Sequence, residues 1–295
     1  MGTLANITTK FLSILFISIL SGNAFGNDLI WQSLRITNEM GLSNSAVNTI
    51  YQDSRGFMWF GTWDGLNRFD GKNIKTYTPD IFDKNAISNN IIRRMLEDKY
   101  GNLWIVTERG INRYSHDFDN FSSWFTESPE SRIKEQSLKG KVANDGNVWV
   151  NAYGLGLFRF SFKQNDFFPV QISGLREETT KSIDCFLPFQ QNLFVLSQDT
   201  LVKIDTTSFQ IQNKIHLPTL YPQIDLSNIE SRWFIESNGK GYLALSQRKG
   251  GLILINLLSW EVTLINSDSN EFIVTTIEQS VNNDFLWVGT DNGNI

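Results

Sequence analysis

The feature that most constrains this chain is an aromatic residue that returns at a fixed interval. Trp59, Trp104, Trp149, Phe194, Tyr242 and Trp287, each in the second strand-like run of its unit, are spaced 45, 45, 45, 48 and 45 residues apart. Self-similarity at this period marks a repeat architecture, in which each unit buries its apolar faces against its neighbours. Polar turns repeat in register: Asp53-Ser54-Arg55-Gly56, Asp98-Lys99-Tyr100-Gly101 and Asn144-Asp145-Gly146, with Gly placed for positive φ. So do Gly65-Leu66-Asn67-Arg68-Phe69, Gly110-Ile111-Asn112-Arg113-Tyr114 and Gly156-Leu157-Phe158-Arg159-Phe160. Each unit reads as four short strands, in the first at about 47–53, 57–62, 66–70 and 73–77. No helical periodicity exceeds a single turn. The prediction is an all-β chain, a β-propeller of four-stranded blades, about five complete and a sixth partial. A β-solenoid has shorter repeats without two hairpins per unit. Trp59, Trp104, Trp149 and Trp287 are then expected to be buried between blades, since an indole of roughly 200 Å² fits few other places in a sheet protein.

Composition narrows the function. The net charge of −5 argues against a phosphate-backbone binder, so no nucleic-acid partner is expected. A single cysteine, Cys185, excludes an intramolecular disulfide and a CxxC motif, and two histidines, His116 and His216, exclude a multi-histidine metal centre. No cofactor is expected. At the N-terminus, Lys10, the apolar run Phe11–Leu20 and the small residues Ala24-Phe25-Gly26 make residues 1–26 a predicted signal peptide, with 27–295 as the propeller. Ten apolar residues cover about half of the roughly 20 that a membrane-spanning helix needs. The expected location is periplasmic, with membrane attachment only through sequence downstream.

Gly41-Leu42-Ser43-Asn44-Ser45-Ala46-Val47, Asp53 to Thr62, and Asp64-Gly65-Leu66-Asn67-Arg68-Phe69-Asp70-Gly71 closely resemble the two-component-regulator propeller repeat, roughly GLSxxxVxxIxxDxxGxxWxGTxxGLxRxD. Units two and six match well, while in units three to five Gly-Thr becomes Asn151-Ala152, Leu196-Ser197 and Leu245-Ser246. The likeness covers about residues 29–295. It implies the extracytoplasmic sensor half of a two-component receptor, most often a hybrid histidine kinase and less often a diguanylate cyclase. Glycans or their breakdown products are the ligands such a resemblance implies, and a homodimer through the propeller is a further expectation. Extrapolating the period to the seven blades of that family, the seventh would end only near residue 364, which reads as an N-terminal fragment. Leu29–Leu34 is the strand expected to complete the last blade.

Catalytic patterns are sparse. Ser115-His116-Asp117 superficially resembles a histidine-kinase phosphoacceptor but continues into a propeller turn, so the structural reading is preferred. Asp117, Asp119 and Asn120 hint at a calcium loop but lack the Gly and distal Glu of one. Gly154-Leu155-Gly156 is no dinucleotide fingerprint, and Gly-x-Ser-x-Gly, Walker A and His-Glu-x-x-His are absent. No catalytic or metal residue is assigned. Asp53, Asp98 and Asp145 recur and are expected to cap turns; a secreted polysaccharide enzyme with carboxylates around the channel is the alternative function. The candidate ligand residues lie in the loops between second and third strands, which vary while the strands stay alike. They are Trp63 and Asp64, Glu108 and Arg109, Tyr153, Gln198, Gln247 and Arg248, and Asp291 and Asn292. Trp63 and Tyr153 offer flat faces to a sugar ring, and Arg109 and Arg248 offer guanidiniums to a carboxylate or sulfate.

Overall fold

The computed structural model describes residues 35–126, 138–142, 146–152, 154–248, 251–265, 273–279 and 286–291. Contacts divide the chain into Met1–Ile36 and Thr37–Ile295, and the fold described here is that of the second unit. The predicted signal peptide and the run Leu29–Leu34 lie outside the described residues, as do Asp145, Tyr153 and Asn292.

Blade 1 comprises β1 (Val47–Gln52), β2 (Met58–Thr62), β3 (Leu66–Phe69) and β4 (Ile74–Tyr77), within a residue or so of the predicted runs. Blade 2 is β5 (Ile92–Glu97), β6 (Leu103–Thr107), β7 (Ile111–Ser115) and β8 (Asn120–Trp124). Blade 3 is β9 (Leu138–Val142), β10 (Val148–Ala152), β11 (Gly156–Ser161) and β12 (Asp166–Pro169). Blade 4 holds β13 (Cys185–Phe189), β14 (Asn192–Ser197), β15 (Thr200–Asp205) and β16 (Ile211–His216). Blade 5 holds β17 (Ile229–Ser237), β18 (Lys240–Gln247), β19 (Leu252–Asn256) and β20 (Val262–Ile265), and β21 (Val274–Gln279) pairs with β22 (Leu286–Thr290) in a sixth sheet. Every four-stranded sheet is an antiparallel meander in chain order. The α-helices are single turns, α1 (Glu177–Lys181) and α2 (Leu217–Leu220), both in inter-blade connections.

First strands of successive blades touch in series, β1 with β5, then β9, β13, β17 and β21. They are the inner strands, and the fourth strands are outer. The apolar core is accordingly divided into layers at the blade junctions. Trp59, Tyr77, Met95 and Tyr114 fill the junction of blades 1 and 2, and Trp104, Val150 and Phe160 that of blades 2 and 3. Further layers follow at the next three junctions. Gly61 belongs to this packing: a Cβ there would sit 2.5 Å from Ile92 Cγ2 of the next blade, so only glycine admits the close approach.

The repeated residues form one local device. Asp53 Oδ1 accepts the N–H groups of Arg55 and Phe57, while Gly56 at φ +90° closes the turn. The other carboxylate oxygen accepts Trp59 Nε1–H at 2.7 Å, and Asp98 accepts Trp104 Nε1–H at 2.8 Å. Across the ladder, Trp59 faces Arg68, Trp104 faces Arg113 and Trp149 faces Arg159. Each guanidinium lies over its indole, at 5.8, 5.7 and 5.7 Å. Unit three breaks the pattern. Six residues before Trp149 stands Ala143, not an aspartate, and Asp145 falls two residues out of register. Trp149 Nε1 is buried without a partner.

Trp59, Trp104 and Trp149 are buried as expected, but Trp287 is 58% exposed. The reason is visible in the first two blades. Trp59 is covered by Tyr77 of its own fourth strand and Tyr114 of the next blade, and Trp104 by Trp124 and Phe160 in the same way. Among the described residues no strand stands in those places beside β22.

A polar tie crosses from blade 1 to blade 2. Asp119, in the β7–β8 turn at φ +53°, accepts the hydroxyls of Tyr77 and Tyr114 and pairs with Lys75 and Arg68. Partial burial alone would raise its pKa, but hydrogen bonds from Lys75 and the two tyrosines hold it down at about 2.

Candidate functional site

The rim where inter-blade connections enter the first strands is built from three parts. The second-to-third-strand loops are tied to those connections through the backbone: Gly65 N–H donates to Asn90 O, Glu108 N–H to Ile91 O, and Arg248 N–H to Asn228 O, at 2.8–2.9 Å. In blades 1 and 2 the connection is also pinned by the motif residues. Ser43 N–H donates to Asn67 Oδ1 and Ser88 N–H to Asn112 Oδ1, and each serine hydroxyl meets Thr62 or Thr107. The third part is a recurrent β-bulge. Register shifts between Val47 and Thr49, Ile92 and Arg94, Ile229 and Ser231, and Val274 and Thr276, always one residue into an inner strand.

The residues set aside by those bulges are Asn48, Arg93, Glu230 and Thr275. A bulge bends the strand and re-aims its side chain. Here the side chains reach the rim: Arg93 Nε bonds Glu108 Oε2 at 2.5 Å, Glu230 Oε2 accepts Arg248 Nε at 2.8 Å, Asn48 donates to Ile92 O, and Thr275 to Gly289 O. Blade 4 supplies Asp184, immediately before β13, which accepts the Gln198 N–H at 2.7 Å.

The sequence-predicted residues fall into local groups. Trp63, 46% exposed, has the Arg93 guanidinium over its ring at 4.8 Å, and Arg93 is held by Glu108; Asp64 alongside accepts from Asn90. Gln198, at φ +53°, gives its carbonyl to Arg232, which also approaches Asp199 at 3.4 Å and Asp184 at 3.6 Å. Arg248 pairs with Glu230, and Gln247 closes the end of β18. Arg109 is exposed, its carbonyl held by Ser88 and Thr107. Asp291 caps Ile273 N–H at 2.8 Å. A cavity of about 170 Å³ adjoins Gln198, lined by Glu178, Thr179, Ser182, Ser197 and Lys214 among others. That is smaller than the roughly 300 Å³ of a typical ligand pocket, so it suits one group of a larger ligand. Sequence reasoning missed Arg93, Asp184, Glu230 and Arg232, which lie in or just before first strands and not in the loops between second and third strands.

Away from the rim, His116 follows β7 in a hairpin, with its ring against Tyr114 and its Nε2 buried without a partner. Burial, then the nearby Arg55, lowers its pKa. Among the described residues no three His, Cys, Asp or Glu side chains converge on a point, and Asp119 is engaged by Lys75 and the tyrosines.

Meandering four-stranded blades whose first strands touch in series define a β-propeller. The model of the two-component regulator propeller matches residues 41–64 and 86–109, the connection and first two strands of blades 1 and 2. These are the two units with the complete Asp–Trp–Arg device and the pinned serines. A curated histidine kinase of Formosa agariphila, Histidine kinase P4, is 57% identical over 37 residues, 12% of this chain and 3% of that protein. Among solved structures, the extracellular domain of a hybrid two-component system of B. thetaiotaomicron matches with a TM-score of 0.60 at 23% identity, over 88% of this chain and 34% of that one. PorZ of Porphyromonas gingivalis, a surface component of the type-IX secretion system, matches at a TM-score of 0.55 and 14% identity, over 83% and 37%. The chain spans about a third of these solved chains. At these identities the likeness is one of fold.

Proposed function

We propose that this chain is the extracytoplasmic input module of a two-component receptor, a hybrid histidine kinase, and that it binds an oligosaccharide at the rim. The observation that carries the reading is that two regulator-propeller repeats coincide with a rim whose side chains are re-aimed by bulges, while its loops differ from blade to blade. Trp63 is the sugar platform: one part of its indole carries Arg93, and nearly half the residue stays open to solvent. In this reading the module is exported to the periplasm by residues 1–26, binds rather than catalyses, and leaves phosphoryl transfer to the parent kinase. Signalling then requires that ligand favour one arrangement of two propeller-bearing chains by its differential affinity. Calorimetric titration of the intact sensor region with an oligosaccharide panel tests the proposal. Trp63→Ala is expected to weaken the cognate ligand at least tenfold; unchanged affinity would move the site elsewhere.

A further inference from the structure

We infer that the rim selects uncharged glycans and discriminates against uronate-bearing or sulfated ones; the inference rests on the rim being the ligand site. Rim guanidiniums would be the natural receptors for a carboxylate or sulfate. Here they are already engaged. Arg93 is spent on Glu108 at 2.5 Å and on the Trp63 ring; Arg232 lies between Asp184 and Asp199 with Gln198 O at 2.5 Å; Arg248 is bonded to Glu230 at 2.8 Å. Each of these guanidiniums is already neutralised by a carboxylate, so an anion that used its remaining N–H groups would have to sit beside that carboxylate. Of the arginines named at the rim, Arg109 alone is exposed without such a partner. Against it stand Asp64 and Asp291, whose carboxylates accept from uncharged donors, the Asn90 side-chain amide and the Ile273 backbone N–H. The balance of the described rim is therefore negative. The exposed part of Trp63 points the same way, because an aromatic face carries negative quadrupole density that suits sugar C–H groups and repels a bound anion.

Matched pairs that differ only at C6 test this: β-1,4-mannohexaose against hexamannuronate, and cellohexaose against hexaglucuronate, titrated calorimetrically into the intact sensor region. Neutral members are expected to bind at least tenfold tighter than their oxidised partners. In Glu108→Gln, which frees the Arg93 guanidinium, the gap is expected to narrow severalfold. An oxidised member that binds as tightly as its neutral partner, and loses that binding in Trp63→Ala, overturns the charge selection while leaving the rim site standing. Binding that is indifferent to Trp63→Ala, or absent for every pair, overturns the rim reading and the selection with it.

Discussion

Trp104 is held from three sides: Asp98 takes its N–H, Arg113 covers its face, and Phe160 of the next blade meets its edge. Removing the ring empties the layer and leaves a buried aspartate short of a donor. Trp104→Ala is therefore expected to cost roughly 3–5 kcal/mol in denaturant unfolding. A subtler comparison isolates the hydrogen bond. Trp149 has the same burial but no acceptor for its indole N–H. Trp104→Phe should then be more destabilising than Trp149→Phe by about 1–3 kcal/mol, the usual loss when a buried polar partner is stranded. Equal costs would mean that the Asp98 bond contributes nothing net.

At the scale of elements, β4 of blade 1 is tied to the β7–β8 turn of blade 2 through Asp119. The carboxyl titrates at about 2 in the fold against an ordinary value of 3.8. A depressed folded pKa adds stability that is present above about pH 4 and is lost as pH falls through 2. Melting temperature followed between pH 4 and pH 2 should drop more for the wild type than for Asp119→Asn; parallel curves would remove the tie from the stability of this junction. Tyr77 and Tyr114 give the opposite limb: burial, then the hydrogen bond with Asp119, raises both, Tyr114 to about 12, so stability should decline as pH rises above 10. This element was not legible in the sequence, because Asp119 lies 44 residues from Lys75 and 42 from Tyr77 and the three belong to no repeated motif. The strands and turns were legible because alternation, turn glycines and the recurring tryptophan all carry a local signal. The bulges were not, since one extra residue in an inner strand changes no composition and appears only in the pairing register. For the same reason the candidate loops were found while their partners at the bulges, Arg93 and Glu230, were missed.

For the molecule as a whole, stability is distributed over junctions, as in any stack whose units contact only their neighbours. A residue's worth then depends on whether its junction is filled. Ile50, Met95 and Gly140 occupy equivalent ladder positions, opposite Phe60, Ile105 and Val150. That position faces the preceding blade: a Cβ on Gly140 would lie 3.1 Å from Leu96 and 3.2 Å from Val106 of blade 2, and Met95 packs in the layer with Trp59 of blade 1. Met95 is 5% exposed, whereas Ile50, with no described blade before it, is 58% exposed. Met95→Ala should thus cost about 2–5 kcal/mol, in the range for large-to-small changes in a core, and Ile50→Ala should stay within about 0.5 kcal/mol of the wild type as a surface change. Both are read from the same urea titrations of the 295-residue chain. If Ile50→Ala proved as costly as Met95→Ala, the open face of blade 1 would have to be covered by residues outside those described, or by a second copy. Repeating the titration over a hundredfold range of protein concentration separates the two, because only a second copy makes the cost of Ile50→Ala depend on concentration.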